Sequence, residues 1–191
     1  SSMEKLSSGY RINRASDDAA GLAIANRLRT NVKSLTVAAR NVTEGKSLLQ
    51  IAEGSASQVE NILERMKELA TQAASANAGT DRDKLNSEFS QLKNEITRIV
   101  DDTKYQGTAL LSTAYNATFQ VGSTADASSS LNIQYNALTL AGLGLTATAV
   151  DTDANATTAL TTIDTAIGTL SGVLGNIGAA MNRMDYTYSN L

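Results

Sequence analysis

The chain has 191 residues, no Cys, His, Trp or Pro, a net charge of −3, and aromatics at only 4% of residues. With no thiol and no imidazole it has no thiolate nucleophile, no imidazole base and no thiolate or imidazole metal ligand, and its acidic balance speaks against nucleic acid or an anionic membrane surface as partner. No apolar run reaches the roughly 18 residues of a membrane span, no signal-peptide pattern opens the chain, and so few aromatics suit long paired helices better than a compact core.

In chain order, Ser16 is placed as an N-cap, with Asp17 and Asp18 in the first turn against the positive helix end. Adjacent carboxylates on a helix point about 100° apart, so they cannot share a proton and are not a catalytic pair. Beyond them no strong breaker occurs before Asn77-Ala78-Gly79. Small or apolar residues recur at steps of three and four: Leu28, Val32, Leu35, Ala39, Val42, then Gly45, where the rhythm slips once, and on through Leu49, Ala52, Ala56, Val59, Leu63, Met66, Ala70 and Ala73. One helix over residues 16–76 is about 90 Å long, too long for a globular core. A second seam of Leu48, Ile51, Ser55, Ile62 and Leu69 predicts that this helix touches two neighbours.

Asn77 to Thr80 reads as a short turn, with Gly79 suited to a left-handed conformation and Thr80 as the next cap. Leu85, Phe89, Leu92, Ile96 and Ile99 predict a second helix folding back along the first. From Tyr105 to Val150 charge almost disappears and Gly, Ser, Thr and Ala rise. Residues 118–122 and 131–135 alternate as short strands around a Ser-rich turn at 123–130, which predicts a small β-hairpin with loops.

The last segment carries the cleanest rhythm: Leu160, Ile163, Ile167, Leu170, Leu174, Ile177, Met181, Met184, Tyr188 and Leu191. Beside it run Gly168, Gly172, Gly175 and Ala179. Each glycine costs a helix about 1 kcal/mol relative to Ala, so this line is either plain weakening or a place where another backbone packs closely from the side; we expect the packing. The fold class is therefore mainly α: a long antiparallel, coiled-coil-like rod of two N-terminal helices and one C-terminal helix, with a small β-hairpin region.

Candidate chemistry is thin. Asp151-Thr152-Asp153 begins like a calcium loop, but Ala156 and Thr162 stand where that loop needs Gly and Glu, so the stretch reads as a helix cap. Gly142-Leu143-Gly144 lacks the third glycine of a dinucleotide loop and reads as a turn. Asn41, Asn116 and Asn155 head short glycosylation patterns that arise often by chance. Arg11, Arg14, Arg27, Arg29, Lys33, Arg40 and Lys46 form either a solvated face or a set of inter-subunit ion pairs. No enzyme, metal or cofactor reading emerges. The two classes that remain are a self-assembling subunit and a monomeric coiled-coil adaptor; the glycine line and the second seam favour assembly.

Residues 3–13 (MEKLSSGYRIN), Asp17 to Ala25 (DDAAGLAIA) and Asn182 to Thr187 (NRMDYT) resemble the N- and C-terminal signatures of bacterial flagellins. With 60–110 the resemblance covers roughly three quarters of the chain, leaving 115–150 unmatched. It implies a flagellar filament subunit, exported without a cleaved signal through the flagellar secretion apparatus to the cell exterior, with other flagellin subunits as partners. It also implies the divisions: a spoke-like linker at 1–15, N-terminal helices at 16–104, a β-hairpin and variable region at 105–150 and the C-terminal helix at 151–191. Flagellins carry further terminal segments of the inner tube, so the chain is expected to be a trimmed core that stays monomeric where a full-length subunit polymerises. Leu63 to Gln72 (LERMKELATQ) is similar to the stretch that Toll-like receptor 5 recognises in stimulatory flagellins. By that resemblance Arg65, Leu69 and Glu88 are the receptor-binding residues; the alternative is that Arg65 and Glu88 only pair across two packed helices.

Overall fold

A computed structural model of the chain describes residues 18–191, together with Met3, Leu6 and Gly9. Ser16 and Asp17, and with them the expected cap, lie outside the described residues. The first long helix, α1, spans Ala19–Ala73, 55 residues, or about 80 Å of rod. Its cap is Asp18, whose carboxylate accepts from the Gly21 amide at 2.7 Å, so this acid precedes the helix instead of occupying its first turn.

Residues 74–80 reverse the chain, with Gly79 at φ +52°, and α2 spans Asp81–Asp102. Thr80 holds the cap position but its side chain makes no capping bond. The turn is tied instead by Arg82, which donates to the Ala73 and Ser75 carbonyls at 2.9 and 3.3 Å and so satisfies acceptors at the end of α1. A two-residue hairpin follows, β1 (Lys104–Tyr105) with β2 (Thr108–Ala109), turned by Gln106 and Gly107 at φ +50° and +81°.

The larger hairpin pairs β3 (Tyr115–Gln120) with β4 (Ser130–Tyr135), Tyr115 opposite Tyr135 and Phe119 opposite Leu131. The first strand therefore starts three residues earlier than expected; Tyr115, Ala117 and Phe119 turn inward while Asn116, Thr118 and Gln120 face out. A return loop at 136–152 has no regular element but buries Leu138, Leu143, Leu145 and Val150. It is anchored on α2 by Lys93, which donates to the Thr146 and Thr148 carbonyls, and by Asn86, which accepts from the Val150 amide. The last helix, α3, spans Asp153–Ser189, capped by Thr152, whose hydroxyl accepts from the Asn155 amide at 3.0 Å.

Ion pairs fix the register. Lys46 meets Asp185 at 2.6 Å and Lys67 meets Asp164 at 2.7 Å, so α3 runs antiparallel to α1. Along α1 the buried seam is the expected one only from Val42 onward; just before it Ala38 is buried in place of Ala39, Leu35 and Ala39 are half-buried, and Leu28 and Val32 are 59% and 62% exposed. In α3 the buried line is Ala156, Ala159, Ile163, Ala166, Leu170, Val173, Ile177, Ala180 and Met184. Six of the ten expected seam residues are thus corrected: Leu160, Ile167, Leu174 and Met181 lie half-buried at the flank, and Tyr188 and Leu191 are exposed. Both buried lines mix alanines with larger side chains, Ala52, Ala56 and Ala70 on α1 and Ala156, Ala159 and Ala166 on α3, and such small residues let two helices approach closely. The slip at Gly45 has a cause as well, since a Cβ there would lie 2.6 Å from Met184 Cε.

Candidate functional site

Antiparallel packing of α1 and α2 brings Arg65 opposite Glu88. The guanidinium donates through Nε and Nη2 to the two Glu88 oxygens at 3.0 and 3.3 Å, and through Nη1 to Glu68 at 2.9 Å. One planar cation thus holds two carboxylates in the fork geometry that suits arginine, leaving the cluster with a local charge of −1. All three side chains are largely solvent-exposed. Hydrogen bonding to Glu88, then to Glu68, holds the Arg65 guanidinium above its ordinary pKa. A shallow cavity of about 470 Å³ lies alongside, lined by Glu64, Lys67, Glu68, Thr71 and Gln72.

Leu69 does not share this surface. Its side chain is wholly buried, so the expectation of an apolar anchor beside Arg65 is corrected. The two residues are one turn apart, but the boundary of the core runs between them. Leu69 belongs to the second seam and supports the helix from within. Glu68, which the sequence reading passed over, sits three residues after Arg65, a spacing that brings helical side chains together.

The line of Gly168, Gly172, Gly175 and Ala179 is exposed along α3. A Cβ at any of the three glycines would meet no other atom within 4 Å. Among the described residues nothing packs within 4 Å of where these Cβ atoms would stand, so close packing against them is not what the glycines serve there.

No pairing of nucleophile with base occurs in either place. Among the described residues no group of three or more acidic side chains is placed to hold a metal ion, and no helix is long and apolar enough to cross a membrane. What the rod offers is surface: a charged fork on α1 and α2, and a bare small-residue face on α3. The class so defined is a mainly helical protein of long antiparallel helices with a small β region.

Residues 1–117 match the family described as the bacterial flagellin N-terminal helical region. The chain is 41% identical to a flagellin of Halalkalibacterium halodurans over 99% of its own length and 70% of that protein. It is 45% identical to flagellin B of Vibrio anguillarum over 63% of its length, but spans only 33% of that protein. Among solved structures, Bacillus cereus flagellin aligns at a TM-score of 0.69 and 34% identity, covering 80% of this chain and 89% of that one. A putative flagellar hook-associated protein from Vibrio parahaemolyticus shares the fold at a TM-score of 0.70 and 15% identity, covering 93% of each. The chain belongs to the bacterial flagellin family, a family of flagellar structural subunits.

Proposed function

We propose that the chain is a subunit of the flagellar filament, exported by the flagellar secretion apparatus and working outside the cell. In this reading rods of neighbouring subunits pack side by side, and the stripe of Gly168, Gly172, Gly175 and Ala179 accepts a neighbour at short range. One observation carries it: these glycines weaken α3 and relieve no crowding among the described residues, a cost that a close contact with a neighbouring subunit offsets. Substituting Gly172→Leu and Gly175→Leu together, in cells that build their filament from this protein, tests it. Stunted or missing filaments with normal helicity of the purified variant are expected; full-length filaments would refute the role.

The second proposed partner is Toll-like receptor 5, engaged by the Arg65 and Glu88 pair, with Leu69 acting from the core to hold the helix in register. Support comes from the exposed, pre-ordered fork: an arginine already held by Glu88 and Glu68 loses little freedom when a partner's polar groups join it. Binding of the purified receptor ectodomain to the chain and to an Arg65→Ala variant decides the matter. A loss of about tenfold or more in affinity, with circular dichroism unchanged, is expected. Equal binding by both forms would return Arg65, Glu68 and Glu88 to packing duty.

A further inference from the structure

Where the base of the β3–β4 hairpin leans on α3, a cavity of about 540 Å³ opens, within the size range of small-ligand sites. Its aromatic wall is the stacked pair Tyr115 and Tyr135, with ring centroids 5.2 Å apart. Asn116, Gln134, Asn136, Asn176 and Thr169, whose hydroxyl donates to the Thr165 carbonyl, are its polar lining residues. Gly172 forms part of the helical side, where a Cβ would meet nothing within 4 Å. Tyr135 is only 5% exposed, and its hydroxyl is buried without a hydrogen-bond partner.

We propose that this cleft is a binding site for a neutral sugar ring. Charged ligands are disfavoured because no carboxylate, ammonium or guanidinium lines it. A purely apolar ligand would strand the carboxamides without partners. Some of those groups are committed: Asn116 Oδ1 accepts from Asn132, and Gln134 Nε2 donates to Asn132. The side chains of Asn136 and Asn176 make no hydrogen bond to the described residues, and each offers both a donor and an acceptor. A pyranose presents hydroxyls around its edge and C–H groups on its faces, which matches carboxamides beside a tyrosine ring. The buried Tyr135 hydroxyl gives a sugar oxygen one further bond once the wall shifts enough to admit it. The small residue at 172 keeps the helical side open for the ring. The cleft shares Gly172 with the stripe of the filament reading but needs no second subunit, so it is tested on the free chain.

Glucose, galactose, mannose and N-acetylglucosamine, each titrated separately into the protein and followed by amide and tyrosine-ring NMR shifts, test the proposal. Because the chain has six Tyr and no Trp, near-ultraviolet circular dichroism reports the stacked pair alongside. At least one of these sugars should give saturable shifts at cleft residues with an affinity on the order of millimolar. Gly172→Val should weaken it about tenfold or more by filling the opening, and Tyr135→Phe by a few-fold. Absence of saturable shifts with all four sugars would overturn the proposal. So would unchanged affinity in Gly172→Val, or equal binding of a neutral tripeptide amide, which would make the cleft a peptide site.

Discussion

The two parts of α1 carry the same rhythm and meet different fates. From Ala38 to Ala73 its seam is covered by α2, α3 and the hairpin, with Leu49, Val59, Leu63, Met66 and Leu69 fully buried. Between Ala19 and Val32 about four turns of the helix form an overhang in which Ile24, Leu28 and Val32 stay 57%, 59% and 62% exposed among the described residues. Periodicity reports that a face is fit to be buried. Whether a partner stands opposite is a matter of register, which Asp185 meeting Lys46 fixes at this end of the rod.

The comparison breaks most visibly with leucines. Leu63→Ala, in the covered part, is expected to cost about 2–5 kcal/mol by lost burial and the cavity left behind. Leu28→Ala, in the overhang, should stay within about 0.5 kcal/mol. Urea unfolding of both variants measures this; equal costs would mean that the overhang packs against something in solution.

Glycines sharpen the same contrast at a smaller scale. Gly54 sits on the outer face of α1 with nothing within 4 Å of a Cβ, so Gly54→Ala is expected to stabilise by about 0.5–1 kcal/mol through helix propensity alone. Gly45→Ala gains the same backbone benefit, but its methyl would lie 2.6 Å from Met184 Cε and 3.3 Å from Phe119 Cδ1. The resulting overpacking, about 1–3 kcal/mol, should cancel the gain or reverse it. A shift of both urea midpoints in the same stabilising direction would show that Met184 moves aside freely.

Much of the rod was legible because helical burial repeats. Of Leu85, Phe89, Leu92, Ile96 and Ile99, which spacing places in the core of α2, all are buried except Leu92, which is half-buried at its edge. In α3 spacing alone misled, since Leu160 and Ala159 both fit a heptad and the larger side chain drew the assignment. At that step burial went to Ala159, with Leu160 half-buried beside it, while Ile163, Leu170, Ile177 and Met184 share the same buried line. Leu69 shows the same limit at the candidate site: four residues from Arg65 means the same side, yet a helix with two neighbours buries more of its circumference than one seam reveals. The return loop was hidden for another reason. Leu138, Leu143, Leu145 and Val150 follow no period, and their burial rests on distant hydrogen bonds from Lys93 and Asn86. The start of β3 was missed because Asn116 and Ala117 have weak strand propensity and are held in place by pairing with Gln134 and Ile133.

The smallest effect expected concerns pH, and it tests how firmly the hairpin is seated on the covered part of the rod. Burial, and to a lesser extent the neighbouring Tyr115, push the Tyr135 hydroxyl above its ordinary pKa; burial raises Tyr115 as well. The unfolded chain releases these protons near pH 10, whereas the folded chain holds them. Above that pH the unfolded state binds fewer protons, so stability that is fully present below about pH 10 falls as pH rises toward the folded values. Tyr135→Phe removes one of the two groups and should flatten the alkaline fall. At neutral pH the same change leaves stability level or slightly higher, because the hydroxyl it deletes has no partner. Thermal melts between pH 8 and pH 11 separate the outcomes. A fall as steep in the variant as in the parent would mean that the hairpin lifts off α3 before the tyrosines ionise, leaving Tyr135 no more protected than the exposed Tyr186 and Tyr188.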